Sequence, residues 1–585
     1  MSGKILVVDD EQNMRYLLRI TLRSEGFKVT TVAGGAEALV GVRAEMPDLV
    51  ILDILMPDMD GWQVCEELRK MAPEKELPII VLSAVAPGEQ ELENIHKYAI
   101  SDYVVKPFEP MLLCGKIKQV LGLAAFPARD LPPLRKTEHK ESRQAGYVLA
   151  PPRKTPILGA WDLVVAGGGP AGVAAATAGA RNGAKTLLVE RYGLPGGMAT
   201  MGLGSPMVPF HHDGKPLCGG IFLELLDRLV TFGGALYPSP ETDFLTSFDP
   251  ELLSETALEM LEEAGVELLF HSYVFDVHTE GHKIKHLLVC GKSGRFALGA
   301  QVFVDATGDG NVSGLAGAPC LPDDRSCEEK LPVLHHIRVG GVDHREAGKL
   351  TLADLKAATE LALEDKALSA IGIRFHPLPR AGEYVVVSGA APGHGLSVGN
   401  LTRGEVLGRH AAGEMIHFLR KYVPGFDQAY LVRNPIQTQV RETRHVSGAG
   451  TVSEADIPGE DGVLWALLPQ SEEPPSITAD HTGGWLSHNG KPSTLHPIVI
   501  PYLSLVPNIL ENLLVAGRCI SASRGASPAL LSLGVCMGIG QVAGTAAALS
   551  RSSRIAPRNL PIGLLQRVLR NQGMLVPQQG VSALP

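Results

Sequence analysis

Acidic side chains follow two of the apolar segments at the start of the chain. Asp9 and Asp10 come directly after residues 5–8, and Asp53 comes directly after residues 49–52. Because the carboxyl ends of parallel strands meet at one edge of a sheet, we expect the three carboxylates to lie close together. Such a cluster needs a divalent cation, and hard oxygen ligands with room for water suit Mg²⁺.

A hydroxyl group and an ammonium group are predicted at the same edge. Ser83 ends the apolar segment 79–82, and Lys106 ends the segment 103–105. A carboxylate nucleophile beside Mg²⁺ and a lysine can accept a phosphoryl group, because the two cations offset the charge of the phosphoryl oxygens during transfer. A doubly wound sheet with acidic strand ends and no phosphotransfer is the structural alternative.

A second set of residues predicts a dinucleotide-binding site. An apolar segment, residues 162–166, leads into the glycine-rich residues 167–172 and then into an alanine-rich helix. Gly167 permits a tight turn, Gly169 lets a pyrophosphate approach the backbone, and Gly172 allows close packing of the helix on the strand. The first turn of the helix supplies free amides and the positive end of the helix dipole for phosphate groups.

Further loops suit a long dinucleotide. Glu190 ends the next predicted strand, 18 residues after Gly172, where a ribose would bind. Glycine-containing turns follow at residues 191–200, 304–310 and 513–520. Several separate loops around one nucleotide suit the extended FAD molecule better than NAD. An NAD-binding dehydrogenase, which needs only the first loop, is the alternative.

The elements that must position these groups divide the chain into five segments. Residues 1–122 alternate strand and helix signals and predict a doubly wound, flavodoxin-like parallel sheet of five βα units. Residues 123–160 are a Pro-rich linker. A Rossmann-type FAD-binding domain is predicted in two parts, 161–314 and 498–585, with an α+β substrate or cap region, 315–497, inserted between them. The predicted fold class is therefore α/β.

Residues 1–122 resemble the receiver domain of two-component response regulators. The resemblance rests on Val-Val-Asp-Asp at 7–10, Leu-Asp-Ile-Leu-Met-Pro-Asp-Met-Asp-Gly at 52–61, Leu-Ser-Ala at 82–84 and Lys-Pro-Phe at 106–108. It implies that Asp53 is the phosphoacceptor and that a sensor histidine kinase or a phosphotransfer protein is the partner. A receiver that folds but is not phosphorylated is the alternative.

The same resemblance implies a set of contacts around Asp53. These are Mg²⁺ bound by Asp9, Asp10, Asp53 and the carbonyl of Leu55, a phosphoryl group contacted by Ser83 and Lys106, a rotating aromatic side chain at Tyr103, and a cis peptide bond between Lys106 and Pro107.

Residues 160–575 resemble flavoproteins of the glutathione reductase type, and specifically FAD-dependent oxidoreductases with a glycine-rich C-terminal segment. Matching motifs include Val-Asp-Ala-Thr-Gly-Asp-Gly at 304–310, Val-Arg-Glu-Thr-Arg at 440–444 and Val-Ala-Gly-Arg-Cys-Ile-Ser at 515–521. The resemblance implies one group of residues at the ADP half of FAD and another nearer the pyrophosphate, ribitol or flavin. The predicted FAD-binding residues are Gly167, Gly169, Pro170, Ala171, Gly172, Glu190, Arg191, Gly197, Met198, Asp309, Gly517 and Arg518.

One segment departs from that family pattern. Between Ser523 and Cys536 relatives often carry a His and an Arg near the flavin, whereas this chain reads Arg-Gly-Ala-Ser-Pro-Ala-Leu-Leu-Ser-Leu-Gly-Val. The catalytic residues therefore stay unassigned.

We favour structural roles for a charged segment, residues 441–444, and for two histidine pairs. Arg441, Glu442 and Arg444 could bind an acidic substrate, but we favour a structural ion-pair cluster. The histidine pairs at 211–212 and 335–336 could relay protons, but we favour packing or surface positions for both.

Composition restricts the class of protein and the compartment. The 585 residues carry a net charge of −10, which argues against nucleic acid as a partner, and an apolar share of 45% excludes wholesale disorder. The eight cysteines form no Cys-x-x-Cys pair, as expected in a reducing compartment, and Cys519 and Cys536 are predicted to be inert thiols. The N-terminus lacks the pattern of a signal peptide, so cytoplasm is expected.

Residues 525–550 carry no charge and include Gly540-x-x-x-Gly544, a spacing found in membrane helix dimers. Pro528, Gln541 and five glycines lower the hydrophobicity of this stretch. We therefore predict a buried helix packed under a ligand, and no membrane partner.

These features together predict a phosphorylation-regulated FAD-dependent oxidoreductase that exchanges hydride or electrons with an unknown small-molecule substrate or redox partner. Phosphorylation of Asp53 would change self-association or docking of the receiver and so control access to the flavin. The alternative is a non-catalytic flavin-binding redox sensor or signalling scaffold controlled by a phosphorelay, motivated by the altered segment after Ser523. A homodimer is compatible with either interpretation.

Overall fold

The protein, seen in a computed structural model, forms two compact units, residues 1–141 and 142–585. The structure describes residues 3–24, 26–54, 56–57, 59–72, 77–83, 93–95, 97–106, 113, 116–117, 120–121, 154–204, 210–212, 215–237, 246–322, 333–364, 374–391, 395–454, 461–470, 478–479, 485–486 and 494–577.

The N-terminal unit is built on a five-stranded parallel sheet. Its strands are β1 (Lys4–Val8), β2 (Lys28–Val32), β3 (Leu49–Asp53), β4 (Ile79–Ser83) and β5 (Asp102–Val105), and its described helices are α1 (Gln12–Ser24), α2 (Gly35–Ala44) and α3 (Gly61–Met71). The strand order is β2-β1-β3-β4-β5, and every neighbouring pair is parallel. This order confirms the predicted flavodoxin-like sheet.

Apolar side chains cover both faces of this sheet. In β1, Leu6 and Val8 belong to one buried cluster, whereas Ile5 and Val7 belong to another on the opposite face. A strand that is buried on both faces carries a continuous apolar run instead of an alternating pattern. The apolar segments of the sequence therefore correspond to the central strands of the sheet.

The larger unit contains the remaining strands and helices. The strands are β6 (Ile157–Ala166), β7 (Thr186–Val189), β8 (His211–His212), β9 (Lys215–Pro216), β10 (Glu267–Leu269), β11 (Tyr273–Glu280), β12 (Lys283–Gly291), β13 (Gly294–Asp305), β14 (Val333–Gly340), β15 (Arg374–Pro377), β16 (Tyr384–Ala391), β17 (Tyr430–Arg433), β18 (Gly462–Gln470), β19 (Thr478–Ala479), β20 (Trp485–Leu486), β21 (Thr494–Pro501) and β22 (Leu513–Val515). The helices are α4 (Pro170–Arg181), α5 (Ile221–Thr231), α6 (Pro250–Glu263), α7 (Asn311–Leu315), α8 (His344–Ala347), α9 (Leu352–Glu364), α10 (Val398–Tyr422), α11 (Leu533–Ser553) and α12 (Ile562–Asn571).

The main sheet of this unit has the order β10-β7-β6-β13-β12-β11, and β22 also pairs with β13. Its parallel part consists of β10, β7, β6, β13 and β22, and β12 pairs with both β11 and β13 in antiparallel fashion. Strand β6 begins at Ile157, so the predicted end of the linker at residue 160 is wrong. Ile157, Gly159 and Ala160 pair with β13. The linker was predicted from its proline content, which gives no information about pairing with a distant strand.

A smaller antiparallel sheet, with the order β15-β16-β14-β17, lies within the predicted insertion. Helix α10 packs on it, since Phe418 and Leu419 share a buried cluster with Ile337 and Val386. The predicted boundary at residue 497 is wrong, because it divides β21. Strand β21 pairs with β18, and apolar side chains of both strands belong to the core of the main sheet.

Helix α11 packs closely against α4. A Cβ atom added to Gly540 would lie 2.0 Å from the carbonyl oxygen of Ala171, and one added to Gly544 would lie 2.0 Å from that of Ala175. Among the described residues α11 alone is long and apolar enough to cross a membrane, but 89% of its apolar window is buried inside the protein. Its glycine spacing thus serves contact between two helices of the core.

Candidate functional sites

The parallel register of the N-terminal sheet places four predicted site residues at one edge. Val8 lies opposite Leu52, so Asp9 and Asp53 follow neighbouring strands at the same level. Asp53 itself lies opposite Leu82, and Ser83 lies opposite Val105. The residues at or directly after the ends of β1, β3, β4 and β5 therefore converge as the sequence predicts.

Lys106 connects two of the carboxylates. Its Nζ atom donates a hydrogen bond to Asp9 Oδ2 at 2.8 Å and another to Asp53 Oδ2 at 2.6 Å. Asp9 is fully buried and Asp53 is 4% exposed. Two buried negative charges thus share one cation, which leaves the cluster with an excess of negative charge.

Electrostatics at this edge oppose ionisation of the Asp9 carboxyl group. Burial raises the pKa of Asp9, and the hydrogen bond from Lys106 offsets this effect only in part. Burial would lower the pKa of Lys106, but the hydrogen bonds to Asp53 and Asp9 outweigh it and the net pKa is raised. The ammonium group is therefore held in its charged form.

The three predicted metal-binding aspartates fit a divalent cation. One oxygen atom from each of Asp9, Asp10 and Asp53 lies within 4.8 Å of the others, and Asp10 is exposed to solvent. Buried hard oxygen atoms beside an open side suit a cation that keeps some of its water. Leu55, the predicted carbonyl ligand, and Pro107 lie outside the described residues. Tyr103 is half-buried on β5.

The glycine-rich turn of the larger unit connects β6 to α4. Gly167 has φ +101°, a conformation that favours glycine, and a Cβ atom on it would lie 2.5 Å from the carbonyl oxygen of Ala306. A Cβ atom on Gly172 would lie 1.7 Å from the carbonyl oxygen of Gly167. These two glycines let β6, β13 and α4 approach one another, as the motif predicts.

Gly169 lies in a different environment. It precedes the first residue of α4, Pro170, and a Cβ atom on it would have only the Gly197 Cα atom, at 4.0 Å, within reach. Gly197, in the second glycine turn, lies close enough that its own Cβ atom would be 2.7 Å from the Gly169 Cα atom. The two turns together form an open backbone cradle at the N-terminus of α4, where a phosphate group can be bound.

Glu190 ends β7 beside this cradle. It is 6% exposed, and its Oε2 atom accepts a hydrogen bond from the Gly168 amide at 2.6 Å. Its Oε1 atom accepts one from the Tyr192 amide at 2.9 Å. Each carboxylate oxygen has a second lone pair, so ribose hydroxyls can still donate to it. Arg191 is exposed and donates to Gln437, and Met198 is half-buried in the second turn.

Asp309 and Arg518 join two further predicted loops. Arg518 Nη2 donates to Asp309 Oδ1 at 2.6 Å, and Thr443 Oγ1 donates to the same oxygen at 3.0 Å. The Arg518 Nε atom is buried and has no hydrogen-bond partner among the described residues. Gly517 has φ +91° and lies beside Ala171 of α4. A buried donor next to the cradle fits an anionic group of a bound cofactor.

Asp305 is a site residue to which the sequence assigned no role. It is fully buried, and its Oδ2 atom accepts hydrogen bonds from the Ser313 amide at 2.8 Å and the Ser313 hydroxyl at 2.7 Å. Its Oδ1 atom accepts from the Thr307 hydroxyl at 2.7 Å. Asp305 thus fixes the loop that carries Asp309. Its position at the end of the apolar run 302–304 was the available signal.

Comparison with known proteins agrees with this geometry. The profile of the family described as "FAD dependent oxidoreductase" matches residues 162–569, which is more than half of the chain. The chain belongs to the FAD-dependent oxidoreductase family. The profile described as "Response regulator receiver domain" matches residues 5–118. The chain therefore has an N-terminal receiver domain and a C-terminal FAD-dependent oxidoreductase domain, and its family implies FAD as the cofactor.

Curated relatives match the receiver domain. The probable transcriptional regulator ycf27 of Porphyra purpurea is 45% identical over 121 residues, which are 21% of this chain and 48% of that protein. The phosphate regulon transcriptional regulatory protein PhoB of Rhizobium meliloti is 39% identical over 124 residues, 21% of this chain and 54% of that protein. The chain thus spans about half the length of these relatives.

Solved structures also match the receiver domain. The response regulator protein TrrA of Thermotoga maritima, in complex with Mg(2+)-BeF, is 40% identical, with 20% of this chain and 99% of that chain covered and a TM-score of 0.19. The chemotaxis protein CheY4 of Vibrio cholerae is 29% identical, with 20% and 99% covered and a TM-score of 0.20.

The arginine-rich segment of the oxidoreductase domain does not form the predicted ion-pair cluster. Arg444 Nη1 donates to the Asp309 carbonyl at 3.1 Å and to Asn311 Oδ1 at 3.2 Å. Glu442 lies 3.7 Å from His445 Nε2. Arg441 pairs with neither Glu442 nor any other described carboxylate. The predicted ion-pair cluster is therefore wrong for the described side chains, because Arg444 bonds to the Asp309 loop and Glu442 lies near His445.

Two cysteines and two histidines of the oxidoreductase domain pack against other parts of the protein, which agrees with the structural interpretation of these residues. Burial raises the pKa of the Cys519 thiol, and it raises that of Cys536 to about 11, so both thiols are protonated at neutral pH. His335 is 2% exposed in β14, and burial lowers its pKa. The His211 ring packs against the Phe210 ring in a tilted arrangement, with 4.4 Å between the ring centroids and 43° between the ring planes.

Proposed function

We propose that the protein is a phosphorylation-regulated oxidoreductase of the glutathione reductase type that exchanges hydride or electrons between FAD and a small-molecule substrate or redox partner. The observation that carries the proposal is the presence of both sites in one chain. The strand ends of the receiver bring Asp9, Asp53 and Lys106 into contact. The oxidoreductase domain holds an open glycine cradle beside Arg518, whose Nε atom has no hydrogen-bond partner among the described residues.

The oxidoreductase domain would bind FAD through residues that already face the cradle. Backbone amides at the start of α4 and the approach of Gly169 to Gly197 would hold the pyrophosphate, and Glu190 would bind the ribose. Arg518 would direct its free Nε group to an anionic part of the cofactor. Bound FAD supplies the hydride or electron chemistry, so the protein contributes orientation and electrostatics.

The receiver would accept a phosphoryl group on Asp53. One carboxylate oxygen attacks phosphorus, the bond from phosphorus to the donor breaks, and the donor leaves with the bonding electron pair. Lys106 would offset the charge of the phosphoryl oxygens, and Asp9 and Asp10 would hold Mg²⁺ at the same edge. A sensor histidine kinase or a phosphotransfer protein is the proposed donor.

Purified protein tests the oxidoreductase proposal directly. We expect a flavin absorption spectrum, release of FAD on denaturation, and anaerobic bleaching by at least one compound in a panel of small reductants. A non-catalytic sensor would instead hold a flavin that no donor in the panel reduces. The turn Ser527–Leu531, which lacks ionisable side chains, is the observation that favours this second candidate.

Two glycine variants identify the cradle as the flavin site. Gly169→Val places its side chain in the cradle without a clash inside the protein, so we expect a folded protein that purifies without flavin. Gly172→Ala clashes with the backbone of Gly167, so we expect loss of both fold and flavin. Circular dichroism separates the two outcomes, and a yellow Gly169→Val protein would show that the flavin lies elsewhere.

A further inference from the structure

Arg441 is a cation without a partner among the described residues. In the part of the chain that the structure describes, its guanidinium makes no hydrogen bond and no ion pair. Burial lowers the pKa of Arg441 to about 10, although the charge of Glu442 acts to raise it. This value is far above neutral pH, so the guanidinium keeps its positive charge under physiological conditions.

Arg441 is largely surrounded by protein but is still partly exposed to solvent. The protein surrounds the guanidinium closely enough to lower its pKa, yet the residue keeps part of its surface accessible. Arg441 is thus only partly exposed, and a ligand can reach it from solvent. By contrast, its neighbours Val440 and Glu442 are 4% and 6% exposed and lie inside the protein.

The residues two positions away on each side show where Arg441 lies. Thr443 donates to Asp309 on the loop after β13. Gln439 lies beside Gly204, where an added Cβ atom would be 3.0 Å from the Gln439 Nε2 atom. Gly204 follows closely after the second glycine turn, residues 191–200. Arg441 therefore lies between two loops that the FAD site comprises.

The other two arginines at this site already have protein partners. Arg518 pairs with Asp309, and Arg444 donates to the Asp309 carbonyl and to Asn311. An enclosed charge without a counterion destabilises the folded protein, so such a group needs a reason other than stability. A ligand that brings its own negative charge supplies that reason.

We propose that Arg441 binds the carboxylate group of the substrate beside the flavin. The inference rests on the proposed function and adds to it the chemical class of the substrate. A planar guanidinium with free donors matches a carboxylate through two parallel hydrogen bonds, a geometry that an ammonium group does not reproduce. The substrate is therefore an organic acid, and Arg441 fixes its position relative to the flavin.

Titration of the full-length, flavin-loaded protein with acetate, succinate and benzoate tests the inference. We expect at least one of these acids to perturb the flavin absorption spectrum in a saturable way, with calorimetry giving the same dissociation constant. Arg441→Gln should raise that constant roughly 10- to 100-fold, the loss expected for a charged hydrogen-bonded pair. Arg441→Lys should retain part of the affinity. Arg420→Gln, which removes an exposed charge at the end of α10, should bind like the wild type.

Thermal unfolding distinguishes ligand binding from a structural role, because loss of a structural arginine would lower the melting temperature. If Arg441 has no protein partner, Arg441→Gln keeps or raises the melting temperature and keeps the flavin. A marked fall in melting temperature would overturn the inference, as would an unchanged dissociation constant or a wild type that responds to none of the three acids. Failure of the FAD assignment itself is distinguishable, because the sample would be colourless before any acid is added.

Discussion

At the scale of single residues, the Asp9 carboxyl group lies in a setting that opposes its ionisation. Burial raises its pKa above the ordinary value of 3.8 in spite of Lys106. A carboxyl group whose pKa is higher in the folded state destabilises that state once it ionises. The penalty grows as the pH rises from 3.8 through the raised pKa, and it is complete above that pKa.

Asp9→Asn should therefore stabilise the receiver at neutral pH in the absence of divalent cations. We expect its free energy of unfolding to rise by about 1 kcal/mol, with the gain disappearing as the pH falls toward 4. Calorimetry of the full chain over a pH series measures this difference. Glu11→Gln, which removes an exposed carboxylate near the same edge, is the matched control and should show no such pH dependence. A destabilised Asp9→Asn protein would show that the pairing with Lys106 outweighs burial.

The same residues show which parts of a site the sequence can predict. Asp53 and Ser83 each end a strand, and Asp9 and Lys106 directly follow one. Parallel pairing fixes their common level, so local patterns were sufficient to bring them together. The lack of an ion-pair partner for Arg441 among the described residues was not predictable in this way. Whether a cation finds a counterion depends on segments far apart in the chain, and sequence proximity to Glu442 suggested a pair that does not form.

At the scale of elements, the contact between α11 and α4 holds the flavin domain together. The Gly540 and Gly544 backbones lie against the carbonyl groups of Ala171 and Ala175, one turn apart on α4. Helix α4 begins at the phosphate cradle, so a displacement of α11 would change the position of the cradle. Close packing of this kind tolerates no added methyl group, because a backbone carbonyl cannot rotate away as a side chain can.

Gly540→Ala should therefore lower the free energy of unfolding by about 3 kcal/mol and weaken flavin retention. Gly413→Ala is the matched control in α10: a Cβ atom there meets no atom within 4 Å, so it should raise stability by about 0.5–1 kcal/mol through helix propensity. Thermal melts followed by flavin fluorescence measure both effects. A Gly540→Ala protein as stable as the wild type would mean that the two helices separate without loss of packing.

Helices and strands were predictable where residues close in the sequence mark their ends or their burial. The start of helix α6, Pro250–Glu263, is marked in the sequence, because Asp249 caps its first turn and Pro250 suits its first position. The antiparallel partners β11 and β12 were missed. Much of β11 is exposed, with a burial pattern that lacks the continuous apolar run of the parallel strands, and only pairing with β12 makes it a strand.

At the scale of the whole molecule, the chain joins two units that each have a core of their own. The receiver has apolar clusters on both faces of its sheet, and the larger unit has one core around the main sheet and another under α10. A domain with its own core can change state without unfolding its neighbour. The proposed regulation therefore does not require either unit to unfold.

Phosphorylation of Asp53 should change the rate at which the flavin is reduced. Acetyl phosphate with Mg²⁺ can transfer its phosphoryl group to Asp53 and release acetate, which supplies the receiver signal without the kinase. For a coupling free energy of typical size, the rate of anaerobic reduction by a fixed donor should change about fivefold or more. Stopped-flow absorbance measures this rate, with sodium acetate added to the unphosphorylated sample to match the released acid. Asp53→Asn should abolish the change, and equal rates in treated and untreated wild type, with phosphorylation verified by mass, would show that the two domains act independently.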